Sequence, residues 1–145
     1  MATREQALTA LLALLSTAGE FTTIGRRLVD PEGITPAMSP ALFLVSHDNE
    51  YERDVIAAPP KRDIHAAVLI YNDVGPANPN VIPESFINDA LDAIDGLLKG
   101  DNPLVKKNTL GGLVEACFIE GTVAFSSGDV TGKAAVAVPI RIILP

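Results

Sequence analysis

The sequence predicts an α+β fold: a largely antiparallel or mixed sheet of four to five strands, with two main helices packed on one face. Three observations predict it. Two segments carry apolar residues at helical spacing between recognisable start and stop signals. Several shorter apolar or alternating runs are separated by stretches rich in proline and glycine, as strands are. The resulting order is helix, strands, helix, strand hairpin, which suits a sheet covered by helices on one side. With 145 residues, a single domain spanning 1–145 is expected.

The first helix lies in TREQALTALLALL. Thr3 and Gln6 have the spacing of a capping box, in which the hydroxyl accepts from a first-turn amide and the glutamine reaches back. Leu8, Leu11, Leu12, Leu15 and Ala18 form its apolar face, and Gly19 is the natural left-handed residue beyond its end. This N-terminal stretch superficially resembles a signal peptide. Glu5 and Gln6 stand where a basic region should continue, however, and Thr9 interrupts the apolar run. No run approaches the roughly 18 apolar residues of a membrane span, so a cytosolic amphipathic helix is expected.

FTTIGRRLV, residues 21–29, predicts a short first strand, and the loop at 30–40 follows from its prolines and glycine. ALFLVS, residues 41–46, predicts a buried strand. HDNE, 47–50, is turn-like in composition, so YERDVI is expected to run back as the return strand of a hairpin that AAPP closes. RDIHAAVLIYND, 62–73, predicts the central strand, with Ile64, Ala66, Val68 and Ile70 alternating with His65, Ala67, Leu69 and Tyr71. The proline-rich stretch 75–83 then delivers the second helix, PESFINDALDAIDGLLKG, with Pro83 suited to the first helical position. Ile87, Leu91, Ile94 and Leu98 form its buried stripe, widened by Phe86, Ala90 and Leu97. Asn88, Asp92, Asp95 and Lys99 line the opposite side, and Gly100 ends it.

After a mixed connector at 101–112, two long strands are expected: LVEACFIEGTVAFSS and GKAAVAVPIRIIL, joined by turn residues. Pro139 lies in the middle of the second. Proline cannot donate a ladder hydrogen bond, so the last strand is expected at a sheet edge, near a subunit contact. On that reading Val136, Val138, Ile140 and Arg141 are the candidate interface residues.

Composition narrows the function. Net charge is −7, which argues against tight binding to nucleic acid, where lysine and arginine must neutralise phosphates. The basic pairs Arg26–Arg27, Lys61–Arg62 and Lys106–Lys107 fit solvated surface charge. Cys117, the only cysteine, excludes an intramolecular disulfide and lies in the apolar run ACFI, where a thiol behaves as a small hydrophobe. The 48% hydrophobic fraction with 5% aromatics points to an aliphatic core. A mean hydropathy of +0.28 further favours burial against other subunits.

Motifs that carry chemistry are missing from the sequence: there is no GxGxxG, GxxxxGK[ST], CxxC or HExxH. His47, Asp48 and Glu50 are the one local group of potential ligands, but adjacent side chains in a turn point apart. His65 alternates with core positions and fits a packed or interface residue. Asp89, Asp92 and Asp95 have the spacing of paired carboxylates for acid–base work, but Asp92 and Asp95 share the polar face with Asn88 and Lys99, as solvent-facing carboxylates do. No catalytic residue, cofactor or metal site is therefore expected, and an interaction protein is the leading class.

In its order of elements the chain resembles the tail terminator proteins of long-tailed bacteriophages. The helix TREQALTALLALL, the strand SPALFLVS, the long strand RDIHAAVLIYND, the helix ESFINDALDAIDGLL and the closing hairpin ending in AAVAVPIRI carry the resemblance. It implies a structural, non-enzymatic virion protein of the tail or neck, assembled in the host cytoplasm. The subunit would form a homohexameric ring on the tail tube, stop tube polymerisation and present a surface to the head-completion or connector protein. DNA would pass through the lumen without sequence-specific binding, and no membrane is involved. The alternatives are another neck, head–tail connector or tail-completion protein, or a small cytosolic ligand-binding or enzymatic α+β domain.

Overall fold

The chain forms α1 (Arg4–Leu15), β1 (Thr23–Gly25), β2 (Ala41–Glu52), β3 (Lys61–Asp73), α2 (Pro83–Leu97), β4 (Ala116–Ile119), β5 (Ala124–Ser126) and β6 (Lys133–Leu144). This computed structural model describes residues 3–27, 33, 35–53, 61–74, 82–100, 108–126 and 133–144. The strands make one mixed sheet in the order β1-β2-β3-β6-β4, with β5 also pairing β6. β1 runs parallel to β2, and the other pairings are antiparallel. The α+β class is as the sequence predicts. The six strands exceed the expected four to five because the long strand expected at 113–127 is split into two short ones, β4 and β5.

The capping box forms as expected. The Gln6 amide donates to Thr3 Oγ1 at 3.1 Å, and the Thr3 amide donates to Gln6 Oε1 at 3.0 Å. The other end differs from expectation: the C-cap is Ser16 in a right-handed conformation. The Ser16 and Thr17 hydroxyls donate to the carbonyls of Ala13 and Leu14, each at 2.7 Å, which satisfies groups that a left-handed glycine would have served. Gly19 instead packs beside the Phe86 ring, where a Cβ would lie in contact at 3.4 Å. α2 begins with Pro83 at its start, as predicted. The side chain of Asn108 closes its far end by donating to the carbonyls of Leu97 (2.8 Å) and Lys99 (3.2 Å).

Strand parity places the core. Ile64, Ala66, Val68 and Ile70 of β3, and Ala134 through Leu144 at alternate positions of β6, meet Ala7, Leu8, Leu11 and Leu15 of α1 and Ile87, Ala90 and Ile94 of α2. All are buried, so both helices cover one face of the sheet.

Two expectations about strands are corrected. HDNE is not a hairpin turn, and Tyr51 and Glu52 of the expected return strand YERDVI continue β2, while residues 54–56 lie outside the described residues. β2 runs unbroken from Ala41 to Glu52, and its antiparallel partner along that whole length is β3. The polar residues at 47–50 are tolerated in a strand because they lie outside the core and are exposed. Second, β6 is not a sheet edge. It pairs β3 from Lys133 to Leu144 on one side, and β4 and β5 on the other. The expected long strand at 113–127 is broken into β4 and β5, and Pro139 lies opposite the break. The prolines at 59, 60, 76 and 79, the Lys106–Lys107 pair and the turn at 127–132 fall outside the described residues.

The open face of the sheet as candidate functional site

The side of the sheet away from the helices divides into an apolar half and a charged half. Phe43, Leu69 and Tyr71 pack together with Ala41 and Met38 as a second, small hydrophobic cluster, with the Phe43 and Tyr71 ring centroids 6.2 Å apart. Beside it, Ala124, Ala135 and Ala137 floor a shallow depression of about 250 Å³ rimmed by Leu69, Tyr71 and Phe125. The small side chains of β5 and β6 leave this space. Phe125, 42% exposed at its margin, pairs the core-facing Val136 and so has the opposite parity to the alanines of this face.

Towards the other end of the strands the same face is laced with ion pairs. Asp63 is 1% exposed, and its carboxylate accepts hydrogen bonds from Arg141 Nε (3.0 Å) and Nη2. Arg141 Nη1 also reaches both Glu120 oxygens at 3.4 Å. The bond to Asp63 raises the guanidinium pKa further above its already high usual value, against the smaller opposing effect of partial burial. Lys61 and Glu115 make a flanking pair at 3.3 Å, and Lys133 and Asp73 one at 3.8 Å at the apolar end. His65 contacts Glu50 at 3.1 Å, His47 contacts Asp48 at 3.1 Å, and the two imidazole centroids are 6.4 Å apart.

The predicted interface residues separate by parity. Val136, Val138 and Ile140 point into the core at 2%, 0% and 2% exposure, so their side chains are already spent within the subunit. Arg141 alone of the four lies on the open face. Cys117 is buried, and burial pushes its thiol up to about 12, as a packing residue's would be. Asp89, Asp92 and Asp95 are exposed on α2, where the sequence puts them. Arg26 bonds to Glu5.

Asp63 and Asn108 were not singled out by sequence reasoning. For Asp63 a signal existed: Arg141 is a cation flanked by apolar residues within its strand, and such a residue demands a counter-charge on a neighbouring one. For Asn108 there was none, because its partners are the carbonyls of a helix end distant in space from any motif. Among the described residues, no group of three or more His, Cys, Asp or Glu side chains is arranged to hold a metal ion, and no helix is long and apolar enough to cross a membrane. Compared with known proteins, the chain matches no family model and no curated protein.

Proposed function

We propose that the protein is a structural subunit of the tail terminator kind: a homohexameric ring on the tail tube that ends tube polymerisation and offers a surface for head joining. The observation that carries the reading is the open half of the sheet. Leu69, Tyr71, Ala135 and Ala137, each partly exposed, make an apolar band beside the buried Phe43 that no described element of the same chain fully covers. A flat apolar band beside compensated charges is suited to contact with another subunit rather than to chemistry on a small molecule. Ring subunits bury two different surfaces in head-to-tail contacts, and an uncovered sheet face is one such surface. An acidic subunit lining a DNA passage would repel phosphate and ease transit, which agrees with the net charge of −7.

The test is native mass spectrometry and negative-stain microscopy of the purified protein, alone and mixed with tail tubes. Six-subunit rings capping tubes of uniform length are the expected result. Rings that bind a portal or connector assembly but ignore tubes would transfer the protein to the connector class. A monomer indifferent to tubes, whose melting temperature rises with a small metabolite, would replace the reading with a ligand-binding domain.

A further inference from the structure

We infer that His47 and His65 form a two-imidazole chelate for a divalent transition-metal ion, zinc or copper, on the charged half of the open face. The inference stands apart from the tail terminator reading. It starts from a β-bulge. β2 and β3 are in register up to Ser46 opposite Ala66, and resume with Asp48 opposite His65, so His47 is the extra residue. Bulges re-aim a side chain, and here the consequence is that His47 and His65, on different strands, lie with ring centroids 6.4 Å apart and planes tilted by 31°.

The hydrogen bonding of the two rings prepares them as ligands. Asp48 Oδ2 lies 3.1 Å from Nδ1 of His47, and Glu50 Oε2 lies 3.1 Å from Nε2 of His65. An ionised carboxylate only accepts, so each contacted nitrogen carries the proton of the neutral ring. The lone pairs are then on Nε2 of His47 and Nδ1 of His65, neither of which has a partner among the described residues. A histidine whose N–H is held by a carboxylate while its other nitrogen is open is the arrangement found around bound metals, where the carboxylate fixes the tautomer and raises basicity.

Size and charge agree with this. With metal–nitrogen bonds of about 2.0–2.1 Å, two ligating rings have centroids about 5.3 Å apart at a tetrahedral angle and about 6.5 Å apart when opposed. The observed 6.4 Å is that of opposed rings, so a tetrahedral ion needs them to close by about 1 Å, and the His47 side chain, 53% exposed, has room for that. Asp48 and Glu50 bring negative charge beside the ion. Arg141, directly across from His65 on β6, has its charge taken up by Asp63 and Glu120. Imidazole favours zinc and copper over magnesium and calcium, which take oxygen ligands. With two protein ligands, water completes the coordination.

The experiment is calorimetric titration of the untagged full chain with zinc chloride at pH 7.5, with electron paramagnetic resonance of the copper(II) form as a second readout. One ion per chain is expected, with a copper signal split by two imidazole nitrogens. His47→Asn and His65→Asn should each weaken binding at least tenfold and reduce the splitting to one nitrogen, while thermal unfolding in the absence of metal stays put. Glu50→Gln should weaken binding by roughly 10- to 100-fold through the ring that it orients. The sequence contains no histidine other than these two, so no third imidazole can stand in. Absence of binding at about 100 μM zinc, unchanged affinity in His65→Asn, or half an ion per chain with metal-driven dimerisation would each overturn the inference.

Discussion

Asp63 brings a carboxylate to 1% exposure on a sheet face, and Arg141 on the adjacent strand is what makes that tolerable. The pair's net worth against an apolar substitute is small, because both charges gave up water. Breaking it from one side is a different matter. Arg141→Met would leave Asp63 unpaired at a buried position, and a loss of about 3–5 kcal/mol is expected in urea denaturation. The double variant Asp63→Asn with Arg141→Met should recover much of that loss, because the orphaned charge is then gone. A loss below about 1 kcal/mol for Arg141→Met would mean that water reaches Asp63 and that the pair is ordinary surface electrostatics.

β6 shows how a proline survives inside a sheet. In a strand the N–H and C=O of one residue point the same way, and the Pro139 carbonyl accepts from the Glu120 amide at 3.1 Å. The missing amide therefore faces the β4–β5 side, and no bond to β3 is lost across the Ala67–Pro139 pair. On that side the partner chain is broken between Ile119 and Ala124, where Gly121 takes φ +111° and a Cβ would approach Pro139 Cγ to 3.4 Å. Pro139→Ala should thus change stability by less than about 1 kcal/mol, since it restores an amide at a position with no strand to receive it. Gly121→Val should cost more than Pro139→Ala by denaturant unfolding, because a β-branched residue at positive φ is strained and also meets the proline ring. The reverse order would show that the break in the strand is set by something other than this glycine. Local signals made part of this legible in advance. Thr3 with Gln6, Pro83, and the alternation of β3 and β6 are patterns confined to a few residues, and each appears where it is predicted. Strand order is not local: β6 enters between β3 and β4 although both precede it in sequence, so Pro139 alone suggested an edge. HDNE has a turn's composition, yet its residues sit in a strand because one bulge lets exposed polar side chains follow the sheet. The open face was hidden for the same reason, as the nearness of His47 to His65 and of Arg141 to Asp63 depends on register between strands.

At the scale of the whole molecule, the two faces of the sheet divide function between them, and β6 serves both by parity. Its even-numbered residues belong to the core and its odd-numbered ones, Ala135, Ala137 and Pro139, belong to the open band. A subunit contact built on this strand must therefore use the odd set. Val138 is fully buried, so Val138→Lys puts an unpaired charge beneath the helices and is expected to unfold the protein outright. Ala137→Lys places the same charge on the partly exposed band between Leu69 and Ala124, where the ammonium can reach water along its stem. Its thermal unfolding should stay within a few degrees of the unsubstituted protein, while rings and tube caps fail to form because a lysine cannot be buried cheaply at the centre of an apolar contact. Both measurements are needed on both variants, since loss of assembly by an unfolded chain says nothing about contacts. Normal capping by a folded Ala137→Lys would move the subunit contact off the open face altogether. The exposed flank of α1, with its shallow grooves beside Ala10 and Ala13, would then be the surface left to test.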